Sequence, residues 1–293
     1  MSETIEKFNK HVMQTYGRLP IVLEKGHNDD AVDENGKEYI DFGSGIGTNS
    51  LGYCNDKWSD AVCAQARAIQ HTSNYFYTKV QADFAAKLCE LTGYTDVFFG
   101  NSGAEANECA IKLARKYSFD KYGKGRHTIV TLVNSFHGRT LATLSATGQD
   151  VFHNYFFPFV DGFVNVPAND IDALRKLIAE DKTICAVMFE FVQGEGGVNP
   201  LDKAFVDEIF KLCGENDILT VADEVQTGVG RTGAILTSMR YGVKPDITTL
   251  AKGIAGGVPM GACLADEKCA GVLVKGTHGS TFGGNPLACA GGN

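Results

Sequence analysis

From about residue 56 onward the chain alternates amphipathic stretches with short, mainly apolar runs that show no polar alternation. The amphipathic stretches, read as helices, cover Lys57–Ile69, Gln81–Leu91, Ala104–Tyr117, Asp170–Ala179 and Lys203–Asn216. The runs, read as strands, cover Asp96–Phe99, Thr128–Val133, Ala186–Phe189, Ile218–Ala222 and Ile247–Ala251. A strand without polar alternation is buried on both faces, which is the pattern of a mainly parallel sheet flanked by helices. In such α/β folds ligands sit beyond the carboxyl ends of the strands, so the residues just after each run are the ones to inspect. Residues 1–55 read differently, as an N-terminal arm. A polar helix over about 3–14 precedes two strands, Ile21–Glu24 and Glu38–Phe42, joined as a hairpin across Asp33-Glu34-Asn35-Gly36. Residues 56–293 form the large domain.

The composition removes whole classes of function. A net charge of −8 lacks the basic footprint that nucleic acid requires. The polar start MSETIEKFNK is no secretory signal, and no stretch reaches the ~18–20 apolar residues of a membrane span. The nine cysteines form no CxxC pair, so neither a zinc site nor a disulfide framework is expected, and a reducing cytoplasm suits them.

Four segments follow the runs. Asn101-Ser102-Gly103-Ala104-Glu105 is a small-residue turn into a helix, where free N–H groups make an anion site or serve as an ordinary cap. Phe136-His137-Gly138-Arg139 offers a ring for stacking and a guanidinium for a carboxylate, or a packed Phe and a surface Arg. Asp223 ends its run, positioned to pair with a protonated heterocycle, bind a metal or cap a helix. Lys252 ends the next, as a solvated lysine or as a desolvated nucleophile and base. Taken together they supply a phosphate grip, a ring cover, a pyridinium partner and a reactive amine for one cofactor.

With these segments in this order, the chain resembles a class III (ornithine-type) aminotransferase of the pyridoxal-phosphate (PLP) fold type I, nearest the acetylornithine branch. The resemblance rests on Thr15-Tyr16-Gly17-Arg18, Asn101–Asn107, Phe136–Thr140, Gln193-Gly194-Glu195-Gly196-Gly197, Asp223–Gly228, Ala251-Lys252-Gly253 and Gly279–Pro286. It implies pyridoxal 5′-phosphate as cofactor and no metal. Ser102, Gly103 and Ala104 would hold the phosphate, with Thr281 contributed by a partner subunit. Phe136 and Val225 would cover the two faces of the ring, Asp223 would meet its nitrogen and Gln226 its hydroxyl. Lys252 would attach the cofactor and carry the proton. Arg139, Glu195 and Ser280 would serve the substrate, and Glu190 would support the site. The reaction implied transfers an amino group between N-acetylornithine and 2-oxoglutarate, in a cytoplasmic homodimer with shared active sites, as a step of arginine biosynthesis.

His137 and the compact arm favour the acetylated substrate over ornithine, succinylornithine or 4-aminobutyrate. Two departures from the family pattern stand out. Phe191 occupies a place usually held by proline and is expected to be tolerated. The last residues, Leu287–Asn293, read as a helix start cut short, so the C-terminal small domain and its arginine partner for Glu195 are expected to be missing. On that ground a non-catalytic fragment is the rival expectation.

Overall fold

The computed structural model describes residues 2–293. The arm opens with α1 (Glu3–His11), followed by β1 (Leu23–His27), β2 (Asp30–Asp33), β3 (Glu38–Ile40) and a short turn α2 (Ser44–Gly47). The hairpin expected across Asp33–Gly36 is present, but its first strand is β2 and not Ile21–Glu24. β1 lies one strand further out, antiparallel to β2, so the arm holds a three-stranded meander. The sequence Asp30-Ala31-Val32-Asp33 hid a strand because it carries only two apolar residues. Its ends are held by local bonds, as when Gly36 N–H donates to the Asp33 carbonyl at 2.9 Å with Gly36 at φ 79°.

The chain continues with α3 (Asp56–Ala68), α4 (Lys79–Thr92), β4 (Asp96–Gly100), α5 (Gly103–Tyr122), β5 (Thr128–Leu132), α6 (Leu141–Ala146) and β6 (Phe163–Val166). Then come α7 (Ile171–Glu180), β7 (Ile184–Phe189), the small pair β8 (Val192–Gln193) and β9 (Asn199–Pro200), α8 (Lys203–Asn216) and β10 (Leu219–Asp223). The chain closes with α9 (Thr237–Tyr241), β11 (Ile247–Leu250), β12 (Gly261–Ala265) and α10 (Pro286–Gly292). All five expected helices and all five expected runs are present, α8 with both ends as expected and no end shifted by more than five residues.

Seven strands form the central sheet in the order β4-β12-β11-β10-β7-β5-β6. β12 runs antiparallel to both its neighbours; the other pairs are parallel. Strands β5, β7, β10, β11 and β12 are buried along their whole length, which is why the first four read as apolar runs without polar alternation. One face of the sheet packs on α7 and α8 through Leu174, Ile178, Phe205, Val206 and Ile209. The other packs on α5, whose Cys109, Ala110, Leu113 and Ala114 meet Ile129, Met188 and Val221. Phe191 belongs to the core on the α7 and α8 face. It is 0% exposed, edge-on to Phe189 at 5.1 Å between ring centroids and against Tyr241 at 4.9 Å. A proline there would leave that volume to be filled from elsewhere.

The carboxyl ends of β4, β5, β7, β10 and β11 deliver Asn101, Asn134–Arg139, Glu190, Asp223 and Lys252 to one edge. Because β12 is antiparallel, its first residue reaches that same edge. Gly261 there packs so tightly on the turn at Ser102 that a β-carbon would stand 2.1 Å from the Ser102 carbonyl oxygen.

Candidate active site

At this edge lies a cavity of about 420 Å³. Ser102, Gly103, Ala104, Phe136, Arg139, Glu190, Glu195, Asp223, Val225, Gln226 and Lys252 all line it. Ser280 and Thr281 do not line it, although Ser280 Oγ accepts from Asn101 Nδ2 at 3.1 Å and so touches the turn that does.

The anion end is built by α5. Ser102 is its N-cap, with extended backbone and its hydroxyl accepting from Glu105 N–H at 3.1 Å. The first-turn N–H groups of Gly103 and Ala104 have no carbonyl within the helix to bind. The turn is held shut by Glu105, whose Oε2 accepts from both the N–H and the Nδ2 of Asn101 at 2.7 Å. Gly103 must lack a side chain, since a β-carbon would sit 2.7 Å from Val225 Cγ1. Gly103→Ala is therefore expected to push Val225 into the cavity and weaken PLP binding about tenfold with the fold intact, as read by titrating the apoprotein with PLP.

Asp223 is 4% exposed and fully tethered. Its Oδ2 accepts from Asn107 Nδ2 and from His137 Nδ1, both at 2.8 Å, and its Oδ1 accepts from Val225 N–H at 3.0 Å. Asn107 is fixed in turn, donating to the His137 carbonyl at 2.7 Å and accepting from Thr249 Oγ1 at 2.7 Å. Burial alone would pull the His137 imidazolium down, but the Asp223 carboxylate outweighs it and holds His137 above its ordinary range. His137 Nε2 is buried with no partner among the described residues.

Lys252 follows β11 with φ at +49°, a left-handed conformation that a non-glycine residue adopts only when its surroundings demand it. Its amine donates to Gln226 Oε1. Burial lowers its ammonium below the usual lysine range, against the opposing pull of Asp223 and Glu190. A depressed ammonium gives more free amine at neutral pH, which a nucleophile and proton carrier needs.

Glu190 is buried and accepts from Phe136 N–H at 3.0 Å. Burial raises its carboxyl to about 7 against the pull of His137, with Asp223 raising it further. A carboxyl raised in the folded state contributes stability that is complete below its unfolded value near 4.5 and is lost as pH rises through about 7. Glu190→Gln keeps an acceptor for Phe136 but does not titrate. Its stability relative to the parent is expected to rise between pH 5 and pH 8 by an amount on the order of 2 kcal/mol, measured by denaturant unfolding.

At the mouth, the exposed Arg139 guanidinium stands 4.1 Å from the Phe152 ring centroid and 5.5 Å from that of Phe136, with no carboxylate paired to it among the described residues. Exposed Glu195 accepts from Gln149 Nε2 at 2.5 Å.

The residues present fit a phosphorylated pyridine aldehyde. The helix start offers donors to a dianion, and the tethered Asp223 carboxylate faces a cavity also lined by Lys252, Phe136 and Val225. Sequence reasoning missed the service of Asn107 and Thr249 to Asp223. Asn107 was the one available signal: it is the polar member of the otherwise apolar stripe Ala110, Ile111 and Ala114 on α5. Glu224, 0% exposed and accepting from the N–H groups of Thr237 and Ser238, was also missed; it anchors α9.

Comparison with known proteins agrees with this geometry. The family model described as aminotransferase class-III matches residues 12–293. The acetylornithine aminotransferase of Haemophilus ducreyi is 53% identical over 283 residues, covering 97% of this chain and 72% of that protein. The succinylornithine transaminase of Citrobacter koseri is 46% identical over 290 residues, covering 99% and 71%. Among solved structures, the acetylornithine aminotransferase of Elizabethkingia anophelis superposes with a TM-score of 0.86 at 36% identity, covering 98% of this chain and 70% of that one. The ornithine aminotransferase of Toxoplasma gondii superposes with 0.94 at 35% identity, covering 99% and 69%.

Proposed function

The chain belongs to the class-III aminotransferases, PLP-dependent enzymes of the α/β transferase fold, and from that premise we propose that it moves an amino group between N-acetylornithine and 2-oxoglutarate. The observation that carries the reading is the single cavity that gathers a helix-start anion site, the tethered Asp223, the desolvated Lys252 and the unpaired Arg139. When bound, PLP supplies electron withdrawal from the substrate carbon that loses its proton.

The chain's own residues do the rest. Ser102, Gly103 and Ala104 bind the phosphate. Asn107, His137 and the Val225 amide keep Asp223 aimed, so that it would hold a proton on the ring nitrogen. Phe136 and Val225 cover the ring faces and exclude water, and Gln226 binds the ring hydroxyl. The Lys252 amine would hold the cofactor and would serve to move the proton, needing no diffusion because the backbone fixes its position. Arg139 takes a substrate carboxylate in bidentate fashion. Glu195 and Ser280 complete the substrate side, and Thr281 serves the neighbouring subunit's phosphate in a homodimer. Residues 1–55 act as the arm and 56–293 as the cofactor-binding domain. Nine free cysteines suit a cytoplasmic enzyme, and arginine biosynthesis is the route such a substrate serves. Among the described residues no helix is long and apolar enough to cross a membrane.

The test is a set of steady-state assays with 2-oxoglutarate and N-acetylornithine, N-succinylornithine, ornithine or 4-aminobutyrate. The expected order has N-acetylornithine highest in kcat/KM. A higher value for ornithine or 4-aminobutyrate would overturn the substrate assignment. PLP binding with no turnover of any of the four would leave a cofactor-binding protein without catalysis.

A further inference from the structure

Two exposed side chains of opposite charge, Arg139 and Glu195, line the mouth of the amino-transfer cavity. Opposite charges on long side chains in one cavity attract, and a closed ion pair would leave neither free for a ligand. Here Arg139 has no carboxylate partner among the described residues. Each is instead in contact with one short segment, residues 148–152, through Gln149 and Phe152, neither of which lines the cavity.

That segment is anchored to the end of β5. Gly148 forms a parallel bridge with Val133, and its N–H donates to Ser135 Oγ at 3.0 Å. Its carbonyl accepts from Asn134 N–H at 2.8 Å. A β-carbon on Gly148 would stand 2.1 Å from the Leu132 carbonyl oxygen, so the two backbones meet with no side chain between them. From this anchor Gln149 Nε2 donates to Glu195 Oε2 at 2.5 Å and to the Ser135 carbonyl at 3.2 Å. A 3₁₀ turn over Asp150–Phe152 follows, closed by Phe152 N–H donating to the Gln149 carbonyl at 3.1 Å. It sets the Phe152 ring against Arg139, whose Cζ stands over the ring at 4.1 Å from the centroid. This is well inside the ~6 Å at which a cation is attracted to an aromatic face. Phe152 is itself braced edge-on against Phe136, 5.8 Å between centroids.

We propose that Gln149 and Phe152 are positioning residues that hold Glu195 and Arg139 apart and so keep the guanidinium open to a substrate carboxylate. The proposal rests on the reading of Arg139 as the carboxylate binder. Phe152 acts through the guanidinium: a planar cation laid on a ring keeps its N–H edge free for a bidentate contact. It has also lost much of its rotamer freedom before the ligand arrives, so less is lost on binding. Gln149 acts through Glu195. Its amide ties the carboxylate to the β5 end, where the carboxylate neither occupies Arg139 nor repels an incoming carboxylate.

The test titrates the PLP-loaded protein with glutarate by calorimetry. Glutarate is a five-carbon dicarboxylate with neither amine nor keto group, so binding is read without turnover. Phe152→Leu is expected to raise the Kd about two- to fivefold, and Phe152→Tyr to restore the parent value. Gln149→Leu is expected to raise it by a similar factor, about two- to fivefold, as the released carboxylate competes for Arg139. In a Glu195→Gln background Gln149→Leu is expected to add nothing, which a merely structural role for Gln149 would not produce. Arg139→Leu sets the reference. If it weakens glutarate while Gln149→Leu and Phe152→Leu do not, this proposal alone is overturned; if it leaves the Kd unchanged, the assignment of Arg139 falls as well. The parent protein gives a second check that needs no folded Gln149 or Phe152 variant. Its Arg139 Nε–H proton signal, identified by its loss in Arg139→Lys, is expected upfield of the other arginine signals because the guanidinium lies over the Phe152 ring. A signal in the ordinary arginine range would overturn the proposal.

Discussion

Lys252→Ala is expected to lower turnover roughly 10³-fold or more while leaving the unfolding midpoint unchanged or raised. The two halves of this result have separate causes. Turnover falls because no other amine lines the cavity; the other basic side chains there are Arg139, which does not deprotonate, and His137, which is tied to Asp223. Stability holds because alanine keeps a β-carbon in the same left-handed backbone, and because the lysine it replaces is a desolvated ammonium whose burial works against it. Steady-state kinetics reads the first half and denaturant unfolding the second. Borohydride reduction of the holoprotein followed by peptide mass analysis adds a direct check. It is expected to fix the cofactor on the Lys252 peptide of the parent and nowhere on the variant. Attachment at another lysine would displace Lys252 from its assigned role.

Asp223→Asn is expected to cost about 10²–10³-fold in kcat, with a loss of stability that Lys252→Ala does not share. The carboxylate accepts three hydrogen bonds, two at Oδ2 and one at Oδ1. An asparagine has one acceptor oxygen. Its amide must then face either the Val225 N–H or the pair formed by Asn107 Nδ2 and His137 Nδ1, setting donor against donor in a buried place. His137 also loses the charge that keeps it raised, so its ionisation is expected to fall to lower pH. Following the His137 ring signals by NMR through a pH titration separates this electrostatic effect from a general loosening. A His137 titration unchanged by Asp223→Asn would show that the 2.8 Å contact does not set its charge.

Local sequence determined the elements that are buried on both sides or strongly amphipathic. β5, β7, β10 and β11 were legible because each is buried along its whole length and carries no polar alternation, its polar positions being threonines and the terminal Asp223. α5, α7 and α8 were legible from one apolar face each. The strand-end rule then pointed to Asp223 and Lys252, and the motif order to Ser102, Phe136 and Arg139, all of which line one cavity. β2 was not legible, since an edge meander in the arm needs little apolar content and is fixed by pairing with β1 and β3. β12 was missed because nothing local to Gly261–Ala265 fixes its direction. That it inserts antiparallel between β4 and β11, bringing Gly261 against Ser102, is a matter of which neighbours it finds.

The same division holds within the site. Sequence alone determined which residue types stand at the strand ends, because covalent order and burial pattern are written there. Only the tertiary structure decided that Asn107, His137 and Thr249, from α5, the β5 loop and β11, converge on one carboxylate. It also decided that Cys109 and Cys263, distant in the chain, line one cavity and pack in one cluster. The reason is that a hydrogen bond between residues far apart in sequence leaves no local trace. It exists only once the packed sheet fixes the distance and angle between its partners.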